Sequence, residues 1–338
     1  MNPPNLTKAR VIADYGEQLL VSLNDKQLRA EPSGKLLFDA VLKSQLPKVG
    51  DWVNVSVAGE DFAIIHEVMP RKNQLSRKNP GKNFEEQVLA TNVDTVFIVA
   101  GLDHDFNIRR IERYLTAVAT LNARVILILN KADLLKEKSS IEAELQNLKS
   151  ISEILWTSAF DRADIEKVKN KILKGETAIF IGSSGVGKST LLNGLLGGEF
   201  QKTTAVRADD SRGRHTTTHR ELFVLDNEKF VIDSPGMREV ALWDSSDSLE
   251  SSFEDIENLM RQCKFKNCIH QTEPGCAVKA ALEKGELDPA RYESYLKQKK
   301  ELEYLESKVN VDLFQERKNK WKKIHQAQKE FYKNKLPN

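Results

Sequence analysis

The sequence predicts a multidomain protein in which an all-β barrel precedes an α/β domain and a mainly helical C-terminal region. Short runs of alternating apolar and polar residues fill roughly the first 70 positions. Apolar strands alternate with helices after that, and charged helical patterns follow Trp243. A chain of 338 residues has room for two or three domains. We place their boundaries at residues 1–72, 73–240 and 241–338.

The first segment has the pattern of five short strands. Turn residues interrupt it at Asp14-Tyr15-Gly16 and Asn24-Asp25, and no helical stretch competes. Five such strands fit an OB-fold barrel, although an SH3-like barrel would give a similar pattern. The predicted strands are Arg10–Ala13, Gln18–Leu23, Gln27–Ala30, Trp52–Val57 and Phe62–Val68.

Near-continuous apolar runs indicate an α/β domain in the middle segment. Such strands are buried on both faces, as in a parallel sheet covered by helices. We expect helices at Ile108–Leu121 and Ser139–Lys149. The predicted strands are Thr95–Ala100, Arg124–Leu129, Glu153–Trp156, Thr177–Ile181 and Lys229–Ile232.

A glycine-rich loop follows the fourth of these strands and precedes a helical stretch that begins at Thr190. It matches the Walker A pattern in full, in the strand-loop-helix context that supports a phosphate-binding loop. Its backbone N–H groups would hold the β-phosphate, Lys188 would contact the β- and γ-phosphates, and Ser189 would ligate Mg²⁺. The loop comprises Gly182, Ser183, Ser184, Gly185, Val186, Gly187, Lys188 and Ser189.

A second nucleotide motif, Asn130-Lys131-Ala132-Asp133, ends the strand Arg124–Leu129. A carboxylate there can accept hydrogen bonds from N1–H and the exocyclic amine of guanine, which adenine does not offer. Asp133 is therefore expected to select GTP, while Asn130 braces the loops and the Lys131 stem covers the base. A second guanine loop follows the next strand, with the residues Thr157, Ser158 and Ala159.

The base-reading motif comes before the phosphate loop along the chain. In an ordinary GTP-binding domain the phosphate loop comes first. The inverted order predicts a circularly permuted P-loop GTPase domain.

The strand Lys229–Ile232 is followed by Asp233-Ser234-Pro235-Gly236. Asp233 can hold Mg²⁺ there, and the Gly236 N–H can bond the γ-phosphate. The next residue is Met237, which cannot orient the attacking water as a glutamine does in many GTPases. We therefore expect the catalytic group elsewhere.

The segment Gly213–Thr218 lies between the phosphate loop and Asp233, as a first switch loop does. His215 is a candidate for polarising water, and a surface or RNA-contacting histidine is the alternative. The hydroxyl of Thr217 or Thr218 can complete the Mg²⁺ shell.

All three cysteines of the chain lie between positions 263 and 276. Three thiolates and one imidazole favour zinc, and four protein ligands leave no open position, so we expect a structural site. The spacing is not that of a common zinc finger, and unrelated buried cysteines are the alternative. The expected ligands are Cys263, Cys268, His270 and Cys276.

Asp288-Pro289 is expected to begin a long helix, and a basic tail follows it. The stretch from Arg317 to Lys335 holds eight Lys or Arg and one Glu, interleaved with Trp321, Phe331 and Tyr332. A charge run is usually a solvated helix face, but the aromatic residues favour contact with RNA. A second basic cluster comprises Arg71, Lys72, Arg77, Lys78 and Lys82.

No apolar run approaches the roughly 20 residues that span a membrane, and the amino terminus lacks the apolar core of a signal peptide. A hydrophobic content of 40% and a charged content of 30% are typical of a soluble globular protein. We expect a cytoplasmic protein and, since no dimer motif is evident, a monomer.

Together these motifs resemble the circularly permuted GTPases of the ribosome small-subunit-dependent family, RsgA, also called YjeQ or YloQ. The resemblance covers nearly the whole chain: an OB domain, the permuted GTPase domain and a C-terminal zinc-binding domain, with Cys263 to Ala280 similar to the family's zinc segment. Ser234 departs from the threonine that the family often has, and residues 100–107 differ from its proline-containing form.

The resemblance implies GTP hydrolysis to GDP stimulated by the 30S subunit, binding to 16S rRNA near the decoding region and a role in late maturation of that subunit. By the same analogy His215 replaces the switch glutamine. Two alternatives stay open: an RNA-binding assembly factor that uses the site mainly as a GTP/GDP sensor, and an ATP-using P-loop enzyme, against which Asp133 argues.

Overall fold

The computed structural model of the chain describes residues 6–16, 18–24, 26–78, 86–103, 106–135, 138–146, 148, 150–198, 220–233, 246–271 and 273–305. Its first part is a closed barrel. The five strands are β1 (Thr7–Asp14), β2 (Leu19–Leu23), β3 (Lys26–Pro32), β4 (Trp52–Val57) and β5 (Phe62–Val68).

The strand order of this barrel is that of the OB fold. Neighbours run β1-β2-β3-β5-β4, and pairing of β1 with β4 closes the ring. The order β4-β1-β2-β3 is a Greek key, and only β3 and β5 pair in parallel. Alternate side chains fill the interior and are at most 2% exposed: Ala9, Val11, Val21, Leu28, Val53, Val55, Ala63 and Ile65. The expected barrel is confirmed.

One expectation for this segment is wrong, because a short helix, α1 (Gly34–Asp39), connects β3 to β4. The Ser33 hydroxyl caps it by accepting a hydrogen bond from the Leu36 N–H at 3.1 Å. None of its residues is buried. It therefore lacks the apolar stripe that reveals a helix in a sequence.

A hairpin that the sequence did not reveal connects the barrel to the central domain. Its strands are β6 (Gln74–Lys78) and β7 (Glu86–Thr91). Arg71 anchors its start, since both its Nε and Nη2 donate to the buried Asp51 carboxylate at 2.8 Å. Lys82 of the second basic cluster lies outside the described residues.

The central sheet contains the five predicted parallel strands and one further antiparallel strand. Each predicted strand extends one residue further than expected. The strands are β8 (Thr95–Gly101), β9 (Arg124–Asn130), β10 (Glu153–Thr157), β11 (Thr177–Gly182), β12 (Arg220–Leu225) and β13 (Lys229–Asp233). They lie in the order β10-β9-β8-β11-β13-β12, with only β12 antiparallel.

Helices cover both faces of this sheet, as the continuous apolar strands predicted. Side chains of β8 alternate, so that Phe97 and Val99 join one core and Val96 and Ile98 the other. The first core includes α4 (Arg162–Asn170) and α5 (Lys188–Leu196). The second includes α2 (Ile108–Val118) and α3 (Ser139–Leu145).

The barrel and the central sheet form one continuous sheet of eleven strands. β1 pairs with β12 through Ala13↔Glu221 and Asp14↔Arg220. Below this junction the Arg10 guanidinium lies over Phe230 at 4.6 Å and donates to Thr177 Oγ1 at 2.5 Å. Burial lowers the pKa of Arg10 to about 10. The barrel is therefore fixed to the central sheet by buried contacts as well as by the chain.

The C-terminal region is helical, as expected. It contains α6 (Ser246–Ser252), α7 (Glu254–Arg261), α8 (Ala277–Glu283) and a helix through residues 289–305, which we label α9. Asp288 caps α9 by accepting from the Ala290 N–H at 2.9 Å. Phe253, Val278 and Tyr295 pack into the same core as α2.

Parts of the sequence predictions lie outside the described residues. These are the basic tail from Arg317 to Lys335, residues 199–219 and residues 234–245. Within the described ranges no helix is long and apolar enough to cross a membrane.

Candidate nucleotide and metal sites

The predicted nucleotide residues meet at one edge of the central sheet. Asn130 is paired with Gly101 on one side and with Thr157 on the other, and Gly182 is paired with Val99. Because these strands are parallel, their carboxyl ends lie side by side, where open α/β sheets bind ligands. The two motifs, far apart in the sequence, thus share one site.

The phosphate loop runs from the end of β11 to the start of α5. Gly182, Gly185 and Gly187 have φ values of 147°, 79° and 97°, which L side chains rarely adopt. Close approach also demands glycine, since a Cβ on Gly187 would lie 2.2 Å from Asn130 Nδ2. Ser184 and Gly185 are exposed, and Ser189 and Thr190 begin α5 half-buried.

The Lys188 ammonium lies inside the curve of this loop. It donates to the carbonyl oxygens of Gly182, at 2.7 Å, and Ser183. The loop's own backbone holds the ammonium beside the N–H groups at the start of α5. The positive charge and these N–H groups together attract an anion such as a phosphate.

Asn130 connects the base loop to the phosphate loop, as predicted. Its buried Nδ2 donates to the Val186 carbonyl at 2.8 Å, and its Oδ1 accepts from Thr157 Oγ1 at 3.3 Å. One amide therefore holds three segments in register: the end of β9, the phosphate loop and the end of β10.

The rest of the base loop forms a single turn that exposes its carboxylate. Lys131 has a φ of 64°, and its ammonium pairs with Asp103 at 2.5 Å. Ala132 begins a 3₁₀ turn, and Asp133 is exposed within it. This arrangement leaves the Asp133 carboxylate accessible to a base.

The second guanine loop, which also includes Ala159, is held by an aspartate on α4. The Ser158 N–H donates to Asp164 Oδ2 at 2.9 Å. Burial acts in the opposite direction, but the hydrogen bonds from Lys167 and Ser158 lower the pKa of Asp164. A charged Asp164 thus fixes the backbone of this loop at neutral pH.

Asp233 is the last residue of β13, beside the strand that leads to the phosphate loop. The other residues expected around the γ-phosphate are Gly236, Met237, His215, Thr217 and Thr218, and they lie outside the described residues. Their placement stays a prediction.

The four expected metal ligands form one cluster. Their ligand atoms all lie within 4.8 Å of one another. His270 Nδ1 is 3.5 Å from the sulfurs of Cys263 and Cys276, and those sulfurs are 3.9 Å apart. Donors at zinc bond lengths in a tetrahedron lie roughly 3.5–3.8 Å from one another. Cys263, Cys268, His270 and Cys276 therefore fit a tetrahedral ion of zinc size.

The backbone around this cluster is shaped by local hydrogen bonds. The Glu273 carboxylate accepts from the N–H groups of Ile269 and Gln271, and His270 has a φ of 60°. Burial would raise the pKa of the Cys263 thiol, but N–H groups of Ala277 and Val278 lower it. The start of α8 thus favours the thiolate form that a metal requires.

Comparison with known proteins agrees with this geometry. A family model described as RsgA GTPase matches residues 68–243. A protein of Opitutus terrae named small ribosomal subunit biogenesis GTPase RsgA is 40% identical, over 96% of this chain and 91% of its own. A protein of Oceanobacillus iheyensis named small ribosomal subunit biogenesis GTPase RsgA 1 is 42% identical, over 95% and 92%. The chain belongs to the RsgA GTPase family. It is a P-loop enzyme that hydrolyses GTP.

Solved structures show the same fold. YjeQ from Thermotoga maritima matches with a TM-score of 0.62 and 27% identity, covering 88% of this chain and 98% of its own. YloQ, described as a circularly permuted GTPase, matches with a TM-score of 0.60 and 23% identity, covering 91% and 96%. A second family model, described as a 50S ribosome-binding GTPase, matches residues 177–314. That match begins at β11, the strand before the phosphate loop. This is the start expected of a GTPase domain in which the phosphate loop comes first.

Sequence reasoning missed three polar residues that shape this RsgA-family site. Asp103 pairs with Lys131, Asp164 holds the second guanine loop, and Arg110 donates to Ser183 Oγ at 2.9 Å. Asp103 could have been found, since it comes just after the carboxyl end of β8. Asp164 and Arg110 lie on helices, where most charged residues face solvent. No sequence pattern distinguishes these two from such solvent-facing residues.

The contact between Gly187 and Asn130 gives a testable prediction. Gly187→Ala should weaken GDP binding by about 10-fold or more, because the new Cβ displaces the amide that holds the loops together. Gly197→Ala is the matched control. Gly197 also has a positive φ, 73°, but a Cβ there meets nothing within 4 Å. Equal GDP dissociation constants for the two variants by isothermal titration would contradict the bracing role.

Proposed function

We propose that this GTPase binds the small (30S) ribosomal subunit through 16S rRNA, acts in the late maturation of that subunit and hydrolyses GTP faster when bound to it. The observation that carries the proposal is similarity over nearly the full chain to proteins named for small-subunit biogenesis, at 40% and 42% identity. The model that names the 50S subunit covers a smaller part of the chain, residues 177–314. The small subunit is therefore the favoured partner.

In this proposal the phosphate loop and base loop hold the nucleotide as expected from their motifs. Lys188 neutralises the β- and γ-phosphates, and Ser189, Thr217 and Asp233 surround Mg²⁺. Asp133 reads the guanine base, and its exposure at the sheet edge supports this role. Asn130 acts indirectly, through the position of the phosphate loop.

The catalytic step needs a group other than the usual glutamine, because Met237 occupies that place in the sequence. His215 is our candidate for orienting the attacking water. Slow turnover without a partner is typical of such GTPases, on the order of 10⁻⁴–10⁻² s⁻¹. The 30S subunit would organise the segment that contains His215.

Basic and aromatic groups on the barrel support contact with RNA. The Lys8 ammonium lies 4.1 Å from the Trp52 ring centre, and Trp52 is 36% exposed on the barrel surface. The OB fold commonly presents such groups to nucleic acids. The protein acts as a monomer in this proposal.

The cysteine cluster holds one structural Zn²⁺ in this proposal. Three sulfurs and one nitrogen fill its coordination, and the cluster packs against the core that contains α2 and α9. Zinc would therefore stabilise the C-terminal helices rather than take part in GTP hydrolysis.

The guanine-reading role of Asp133 can be tested by exchanging its carboxylate for an amide. Asp133→Asn should weaken GDP binding by roughly 10²–10⁴-fold, since two charge-assisted hydrogen bonds contribute about 1.5–3 kcal/mol each. Xanthosine diphosphate should bind this variant better than GDP, because xanthine has a carbonyl in place of the exocyclic amine. The control is Asp161→Asn on the neighbouring loop, where asparagine caps α4 equally well. Unchanged preference for GDP in Asp133→Asn would refute the role.

Stimulation by the ribosomal subunit is tested by multiple-turnover phosphate release with and without purified 30S subunits. We expect a large increase with the wild-type protein and about a 100-fold smaller stimulated rate with His215→Ala. Binding of that variant to 30S with a GTP analogue should be unchanged, which separates catalysis from docking. If 30S subunits bind the wild-type protein but do not raise its rate of GTP hydrolysis, the nucleotide-sensor function is favoured instead.

The zinc site is tested by metal analysis and chelation. The purified protein should contain about one zinc per chain, and His270→Gln should lose it, whereas His66→Gln on the barrel should keep it. Chelation should unfold the C-terminal helices, as circular dichroism would show. Wild-type protein with well under stoichiometric zinc and unchanged helicity would exclude this assignment.

A further inference from the structure

Helix α2 contacts the phosphate loop through two of its side chains. Arg110 Nη1 donates to Ser183 Oγ at 2.9 Å, and the buried Tyr114 hydroxyl lies 3.2 Å from the same oxygen. Ser183 is itself buried, at 8% exposed. The second residue of the phosphate loop is therefore held by α2 rather than by the loop alone.

The same helix holds the C-terminal region by a buried ion pair. Glu112 Oε1 accepts from Arg291 Nη1 at 2.6 Å, and these residues are 2% and 4% exposed. Arg291 extends the contact to α7 because its Nε and Nη2 donate to both oxygens of Asp255, at 2.8 and 2.7 Å. Its guanidinium also lies 4.7 Å from the Phe253 ring centre.

Two further pairs support this interface at its margins. Arg109 bonds to Asp288 at the start of α9, and Arg113 Nη2 is 2.7 Å from Glu301. Between these polar contacts, Ile111 and Leu115 pack in one core with Phe253, Tyr295 and Leu302. Because close-packed interiors transmit strain, a displacement of the C-terminal helices would be passed on to α2.

The phosphate loop and the C-terminal region are thus attached to a single turn of α2, residues 110–114, from different sides. A shift of the C-terminal helices moves Glu112, and a shift of Glu112 moves Arg110 and Tyr114. Their motion changes the position of Ser183 and of the N–H groups that follow it.

We propose that α2 couples the position of the C-terminal helices to the affinity of the phosphate loop for nucleotide, with Arg110, Glu112 and Arg291 as positioning residues. The coupling is reciprocal: docking of the C-terminal region on a partner alters nucleotide affinity, and nucleotide alters the docked position. The proposal rests on the GTPase site but not on the identity of the partner.

A double-mutant cycle on the isolated full-length protein tests the coupling. Arg291→Lys keeps the positive charge but loses the bidentate hydrogen bonds to Asp255. It should weaken GDP binding by roughly 2- to 30-fold, the range for mutations along coupled networks. In a Ser183→Ala background the same substitution should change affinity by under about 2-fold, since the link is already broken. Lys279→Gln, which removes an exposed ion pair on α8, is the control and should have no effect.

An equal loss in both backgrounds, or no loss in either, would overturn the proposal. If Arg291→Lys fails to fold, amide hydrogen exchange gives an independent test. GDP should slow exchange in residues 289–305 of the wild-type protein and slow it much less in GDP-saturated Ser183→Ala. Equal slowing would refute the coupling. Neither measurement uses ribosomal subunits. The coupling can therefore be refuted while stimulation by 30S is observed, and it can be observed while stimulation by 30S is refuted.

Discussion

The nucleotide site depends on one buried amide, that of Asn130. Permutation places the base loop before the phosphate loop, and Asn130 and Val186 are 56 positions apart, so the chain itself does little to hold the loops together. The amide does so directly, by donating to the phosphate loop and accepting from Thr157. An unpaired buried amide is costly, which makes each of these bonds expensive to lose. The glycine at 187 is required because any larger residue would displace this group.

The order of the strands explains why permutation leaves this site intact. β11 lies in the middle of the sheet, between β8 and β13, and it leads directly into the phosphate loop. Hydrogen bonding and burial depend on which strands are neighbours in space, not on their order in the chain. Permutation moves the ends of the chain to other strands and leaves the sheet itself unchanged. It therefore changes which segments of the chain are attached to the sheet and where. Here β1 of the barrel joins β12 at one edge, beside the residues that follow the undescribed segment 199–219.

Much of this architecture could be predicted from the sequence because its signals are local. The parallel strands are continuous apolar runs, and the loop glycines and cysteine ligands have recognisable spacing. Strand ends were placed one residue short, since Asn130 and Asp233 are polar yet remain within the ladder. α1 was missed because none of its residues is buried. The β6–β7 hairpin buries Leu75, Val88, Leu89 and Ala90, but its strands are only five and six residues long and mix polar with apolar side chains. The roles of Arg110 and Arg291 depend on distant partners, and no pattern near either residue indicates them.

The permutation also gives the C-terminal region two attachments to the GTPase domain. One is covalent, since the chain continues from Asp233 toward α6. A covalent connection fixes where a segment starts but not how it is oriented. The second attachment is the buried pair of Glu112 and Arg291, surrounded by a shared apolar core, and it fixes orientation. Each partner has a second ion pair, Glu112 with Arg109 and Arg291 with Asp255, both at 2.7 Å, so the attachment is a network of four charges. The C-terminal helices are therefore seated on α2 itself, which is the helix that touches the phosphate loop.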